Sequence, residues 1–140
     1  MSTKISVQND LGRTYYEASF NPDENWVLSD WSGFVTVEEV KKAANTGLEV
    51  FLKMQGNCKK MLNSNEKLQG SWDDANEWIA NEWMPRALEG GLKYFAHVVS
   101  PDIFAQMSAE SMEQNFKEAG FTMRTFGSLN DAENWLRSMN

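Results

Sequence analysis

Tyr94 to Val99 (YFAHVV) is a nearly continuous apolar run, with Gly90-Gly91 before it and Ser100-Pro101 after it. A strand with apolar side chains on both faces must be covered on both faces. That is the situation of a strand inside a parallel sheet layered by helices. Parallel strands need long crossovers, so helices should flank the run. The sequence supplies them. Thr36-Val37-Glu38-Glu39 is a capping-box signature that opens a helix to about Gln55, ended by Gly56. At about 100° per residue, Val37, Val40, Ala44, Leu48 and Phe51 form one stripe, opposite Glu38, Lys42, Glu49 and Lys53. Ser71-Trp72-Asp73-Asp74 is a second start, and its helix stops at Gly90-Gly91. Ser100-Pro101-Asp102 is an N-cap with proline at the first helical position. The helix after it reads as two pieces. Phe104 and Met107 point one way, while Ala109, Met112, Phe116 and Ala119 form another stripe, as if the chain restarts at Ser108; Gly120 closes it. Ser128-Leu129-Asn130-Asp131 opens a terminal helix with Leu129, Ala132, Leu136 and Met139 on its core face.

The first third of the chain is different. Residues 14–20 (TYYEASF) and 26–31 (WVLSDW) are aromatic and β-rich, and Asn21 to Asn25 between them make a turn, so they predict an antiparallel hairpin. Cys58 to Leu62 is a short strand candidate, and Phe121 to Phe126 an edge strand because Arg124 and two threonines interrupt it. The order is ββαβαβαβα. It predicts an α/β fold with a mixed sheet of four to six strands: the hairpin antiparallel, the remainder parallel, with about four helices. The 140 residues, 41% hydrophobic, suffice for one domain, in which 1–13 is a tail or an extra N-terminal strand at residues 5–8.

Charge and composition narrow the function. The formal net charge is −7, and residues 71–140 hold five Lys or Arg against eleven Asp or Glu, a surface that repels nucleic acid. Lys59 and Lys60 read as a solvated strand edge. One cysteine, Cys58, allows neither an internal disulfide nor a thiolate zinc site. The opening MSTKISVQND has no apolar leader segment, and no apolar run reaches membrane length. The expected location is the cytoplasm.

No candidate chemistry stands out. Neither GxxxxGK[ST] nor GxGxxG occurs, and one histidine gives no metal-ligand spacing. His97 lies inside the apolar strand, a place for a structural, hydrogen-bonded histidine rather than a base offered to substrate. Cys58 reads as a small strand hydrophobe, and Asp73, Asp74, Glu77 and Glu82 as a solvated helix face. No catalytic, metal or cofactor residue is assigned, and the chain is expected not to be an enzyme.

The helix over 72–89 is the most informative element. Its core stripe is Trp72, Ala75, Ile79, Trp83 and Ala87, with Trp78 about 100° off its centre. Trp78 either packs under an adjoining element or serves as an exposed aromatic anchor, the residue type most enriched at interface hot spots. Pro85 should kink the helix and turn Met84 and Leu88 off the stripe. Arg86 makes an ordinary surface ion pair or holds a ligand carboxylate or phosphate. Six Trp and eight Met give a bulky, adaptable apolar inventory.

The succession of hairpin, helix and three strand–helix units resembles STAS domains, the anti-sigma-factor-antagonist fold. It is most similar to small bacterial STAS/SEC14-like proteins. Three stretches within residues 14–138 carry the resemblance: Trp31-Ser32-Gly33-Phe34, Glu82-Trp83-Met84-Pro85-Arg86-Ala87, and Pro101-Asp102-Ile103-Phe104-Ala105-Gln106-Met107-Ser108. The resemblance implies a regulatory serine after the third strand, in an Asp-Ser-Ser/Thr-Gly-like stretch. That stretch is absent from Asn63 to Asp74, where Ser64 and Ser71 are the candidate phosphoacceptors. Phosphate on Ser71 would suit a helix N-terminus but stand beside Asp73 and Asp74, so a plain N-cap is the simpler reading. Two functions follow as expectations. One is a non-enzymatic regulatory module that binds a protein partner or a second copy of itself through Trp78, Met84, Arg86, Ser64, Ser71 and the 63–71 loop. The other is a carrier or sensor of a small apolar, lipid-like ligand, as SEC14-like domains are at larger size.

Overall fold

The computed structural model describes residues 4–139. Residues 1–3 of the expected N-terminal tail lie outside it. The elements are β1 (Lys4–Gln8), β2 (Thr14–Asn21), β3 (Trp26–Gly33), α1 (Val37–Leu52), β4 (Lys60–Leu68), a composite helix α2 (73–89), β5 (Tyr94–Val98), α3 (Ile103–Ala119), β6 (Thr122–Phe126) and α4 (Leu129–Ser138). The fold is α/β around one six-stranded mixed sheet, and Lys4–Gln8 adds a first strand to the expected order. The strands lie side by side in chain order, β1 to β6. β1, β2 and β3 pair antiparallel; β3, β4, β5 and β6 pair parallel.

That order decides where the helices go. Crossovers of one hand that always step the sheet in the same direction must all pass over the same face. Accordingly α1, α2 and α3 share one apolar cluster, with Val40, Leu48 and Phe51 of α1, Ile79 and Trp83 of α2, and Met112 and Phe116 of α3. The opposite face carries a smaller cluster of Trp26, Leu62, Ala96 and Val98, closed by Ala132 and Leu136 of α4. The alternation of β5 serves both: Phe95 and His97 face the three helices, Ala96 and Val98 face α4.

Tyr15 and Tyr16 are consecutive, yet both are buried. The pairing passes from Val7↔Tyr16 to Gln8↔Thr14, so Tyr15 is a bulge residue on the helix side, where its hydroxyl donates to Glu39 O at 2.8 Å. Tyr16 Oη pairs with Ser29 Oγ at 2.6 Å beneath α1. It comes so close to Gly47 that no side chain fits there, which explains a glycine in the middle of a helix.

Several expectations need correction. β4 runs through to Leu68, so residues 63–68 are strand and not loop. It is an interior strand, and Lys60 is no solvated edge residue: its Nζ donates to Leu136 O, near the end of α4, at 2.7 Å. The N-cap of α3 is Asp102, not Ser100. α3 is also one uninterrupted helix, whose single buried stripe is Ala105, Ser108, Ala109, Met112 and Phe116. Phe104 and Met107 do not belong to an earlier piece; they lie on its open side.

Candidate functional site

Two features meet at the carboxyl ends of β3, β4 and β5: a buried polar strip on the sheet and an exposed apolar rim above it. The strip starts at Trp31, whose Nε1 donates to Asn63 Oδ1 at 2.8 Å. An indole nitrogen only donates, which fixes the orientation of the amide. Asn63 Nδ2 therefore donates both to Asn65 Oδ1 (3.1 Å) and to His97 Nδ1 (3.0 Å). His97 is then neutral, with its proton on Nε2. Burial alone lowers its pKa to about 3. His97 Nε2 and Trp72 Nε1 have no hydrogen-bond partner among the described residues, and their rings lie 6.0 Å apart. Beside them is a cavity of about 60 Å³, bounded in part by Trp31, Asn63, Asn65, Trp72 and Trp83. At roughly 10–15 Å³ per water, it holds a few waters at most and not an acyl chain.

The polar strip cannot do acid–base work near neutral pH. Among the described residues no carboxylate is hydrogen-bonded to His97, and protonating it would put a charge in a buried core. The effect on stability has a definite sign. Unfolded histidine takes up its proton near pH 6.5, the folded residue only near 3. Between these values the unfolded state holds more protons, so stability should fall as pH falls, by about 1.4 kcal/mol per unit. His97→Gln keeps an acceptor for Asn63 without titrating. Urea midpoints should drop from pH 6.5 to 5 in the wild type and stay nearly level in His97→Gln; equal slopes would refute the assignment.

Cys58 is buried too. Its Sγ lies 3.4 Å from the carbonyls of Asn25 and Lys60, and burial raises its pKa, so the thiolate is disfavoured. Among the described residues, no group of three His, Cys, Asp or Glu side chains is placed to hold a metal ion.

The residues expected to form the partner surface are divided between core and surface. Met84 is buried, because a π turn over Ile79–Trp83 absorbs the proline. The Met84 N–H reaches back to Ile79 O, and Pro85 falls in the first turn of the Met84–Glu89 segment, where a missing N–H costs little. The extra residue in that turn brings Met84 inward beside Trp83 and leaves Leu88 exposed. Trp78 is half-buried and packs on the main core. Arg86 is exposed but donates to Asn45 Oδ1 of α1 at 3.1 Å rather than to a carboxylate. Ser64 is buried inside β4, so it cannot present its hydroxyl to a kinase. Ser71 is exposed and is not the N-cap, which is Trp72; its Oγ accepts from Asp73 N at 3.2 Å and pairs with Ser108 Oγ at 3.2 Å, which ties the start of α2 to α3.

The rim lies elsewhere. Phe34, Ile103, Phe104 and Met107 are 70%, 65%, 62% and 55% exposed, rare values for such side chains. Phe34 follows β3; the other three follow β5. Gly70, after β4, joins them. The Phe34 ring lies over Gly70, and the Gly70 N–H donates to Asp102 Oδ2 at 2.7 Å. The other carboxylate oxygen of Asp102 caps α3 by accepting from Phe104 N at 2.9 Å. These N–H groups, that of Gly70 first, hold the Asp102 carboxyl below its usual pKa. Ser100 ties the same loops together by donating to Leu68 O at 2.6 Å. The rim is therefore a braced surface at the edge where parallel α/β sheets present their binding groups.

No known protein family, curated protein or solved structure matches this chain. The geometry of the rim and the largely buried strip beneath it is what bears on function. The sequence did contain a signal for the rim: Phe104 and Met107 fall off the apolar stripe of their helix.

Proposed function

We propose that this chain is a non-enzymatic, STAS-like protein-interaction module that docks a partner on the rim of Phe34, Ile103, Phe104 and Met107. The observation that carries this reading is the rim itself: four large apolar side chains held in solvent by a fixed hydrogen-bond frame. Contiguous exposed apolar surface on a small domain marks an interaction site. The buried neutral His97 and buried Cys58 fit a module without catalytic chemistry. A cavity of about 60 Å³ does not favour the lipid-carrier alternative. Among the described residues, no helix is long and apolar enough to cross a membrane.

The test is site-specific photocrosslinking in the native cell. A photoreactive phenylalanine replaces Phe104 or Met107, and in a control replaces Lys93, exposed at the opposite end of β5. Discrete protein adducts should form at 104 and 107 and not at 93. Adducts absent from both rim positions, or equal at all three, would overturn the reading.

A further inference from the structure

Given the rim as a docking surface, on which this step rests, we propose that its occupant is a basic amphipathic helix of a protein partner. The rim continues into a groove. Along α3, Phe104 and Met107 are followed on the same side by Ser111, Gln114 and Asn115. These three line an open groove of about 460 Å³ with Asp73, Asn76 and Glu77 of α2. From residue 104 to residue 115 the helix rises about 16 Å, the length of roughly three turns of a second helix laid alongside. One end of this track is apolar and the other is acidic.

Its charge is uncompensated. Residues 73–89 and 103–119 hold eight carboxylates against two cations, Arg86 and Lys117. Arg86 is occupied by Asn45. Among the described residues, none of these eight carboxylates takes part in an ion pair. The groove floor also holds an open acceptor: Asn76 is more than nine-tenths buried, and its Oδ1 has no hydrogen-bond partner among the described residues. A helix with apolar residues at three- and four-residue spacing and Lys or Arg on the flank would cover the rim and neutralise Asp73 and Glu77 together.

The other occupants fit less well. A second copy docked by a two-fold axis presents the same face, so it brings the eight carboxylates and two cations of these helices and little positive charge to neutralise Asp73 and Glu77. Anionic lipid and nucleic acid meet the same repulsion. An extended peptide needs an open sheet edge, and β3, β4 and β5 are all interior strands.

A fluorescein-labelled helical peptide of about twelve residues, with leucine on one face and lysine beside it, is the probe. Its Lys→Glu and Lys→Ser counterparts are the controls, and binding is read by fluorescence anisotropy. The lysine peptide should bind and the glutamate peptide should not. Phe104→Ser with Met107→Ser should weaken binding about tenfold or more, and so should Asp73→Asn with Glu77→Gln. Raising NaCl from about 50 to about 300 mM should weaken it further, because these charges are exposed. Glu38→Gln with Glu49→Gln, which removes charge from α1, should change little. All the substituted side chains are exposed, and circular dichroism confirms folding before binding is read. If the α1 pair weakens binding as much as the groove pair, attraction is merely to net charge and the proposal falls. If the serine peptide binds as tightly as the lysine peptide, the basic partner is wrong while the rim stands. If the Phe104 and Met107 pair leaves binding intact, the rim reading falls with it. A chain that self-associates through the rim in sedimentation, and loses that with Met107→Glu, would also overturn the proposal.

Discussion

Truncating Trp83 to alanine should cost about 3–5 kcal/mol of folding stability, the range for removing a large buried aromatic side chain. Trp83 joins three helices to the sheet. It stands on α2, and its Nε1 donates to Ala44 O of α1 at 3.0 Å. Its ring stacks on Phe116 of α3, with centroids 6.0 Å apart, and meets Phe95 of β5 edge-on at 6.1 Å. The variant therefore loses an interior volume, a hydrogen bond to a carbonyl and two ring contacts at once. Against a typical total of about 5–15 kcal/mol, little stability would remain. Urea unfolding followed by far-UV circular dichroism measures it. A loss below about 1 kcal/mol would mean that the neighbouring rings close the space and that the role assigned to Trp83 is wrong.

Asn63→Leu should be comparably severe for another reason. Leucine has nearly the same size, so packing volume is kept, but three buried partners lose their hydrogen bonds: Trp31 Nε1, Asn65 Oδ1 and His97 Nδ1. Each stranded group costs about 1–3 kcal/mol, and partial relaxation should leave a net loss of about 3 kcal/mol or more. The double variant Asn63→Leu, His97→Leu removes both ends of one bond and should recover part of that loss. Additive single losses in the double-mutant cycle would show that the two side chains are not coupled.

The elements whose sequence agrees with their surroundings were legible. Thr36 with Glu39 forms the capping box that its spacing predicts, and Ser128 caps α4 through Asp131 N. The apolar run at Tyr94 is an interior strand, and Arg124 does lie on an edge strand. The hairpin and the parallel remainder were visible because alternation between strands and helices leaves few topologies. What was hidden depended on contacts between distant segments. Asn63-Ser64-Asn65 reads as loop because polar residues favour turns, yet Trp31 and His97 satisfy Asn63 inside the sheet. Met84 was expected outside because Pro85 was read as a kink, whereas a π turn before it absorbs the proline. The rim was misread as a helix restart, since apolar residues are assigned to a core by default. Its side chains make sense only once Gly70 and Asp102 are seen to lock the loops beneath them.

The side-by-side order of the strands bears on how the chain reaches this structure. Each strand pairs with the one made just before it, so no step of sheet growth waits for a remote segment. Loop closure at every stage involves one crossover, and the entropy lost rises only slowly with its length. Local pairing of this kind favours rapid assembly. The hairpin of β2 and β3 can form first, and each later strand–helix unit can add to a finished edge while the ribosome is still making the rest.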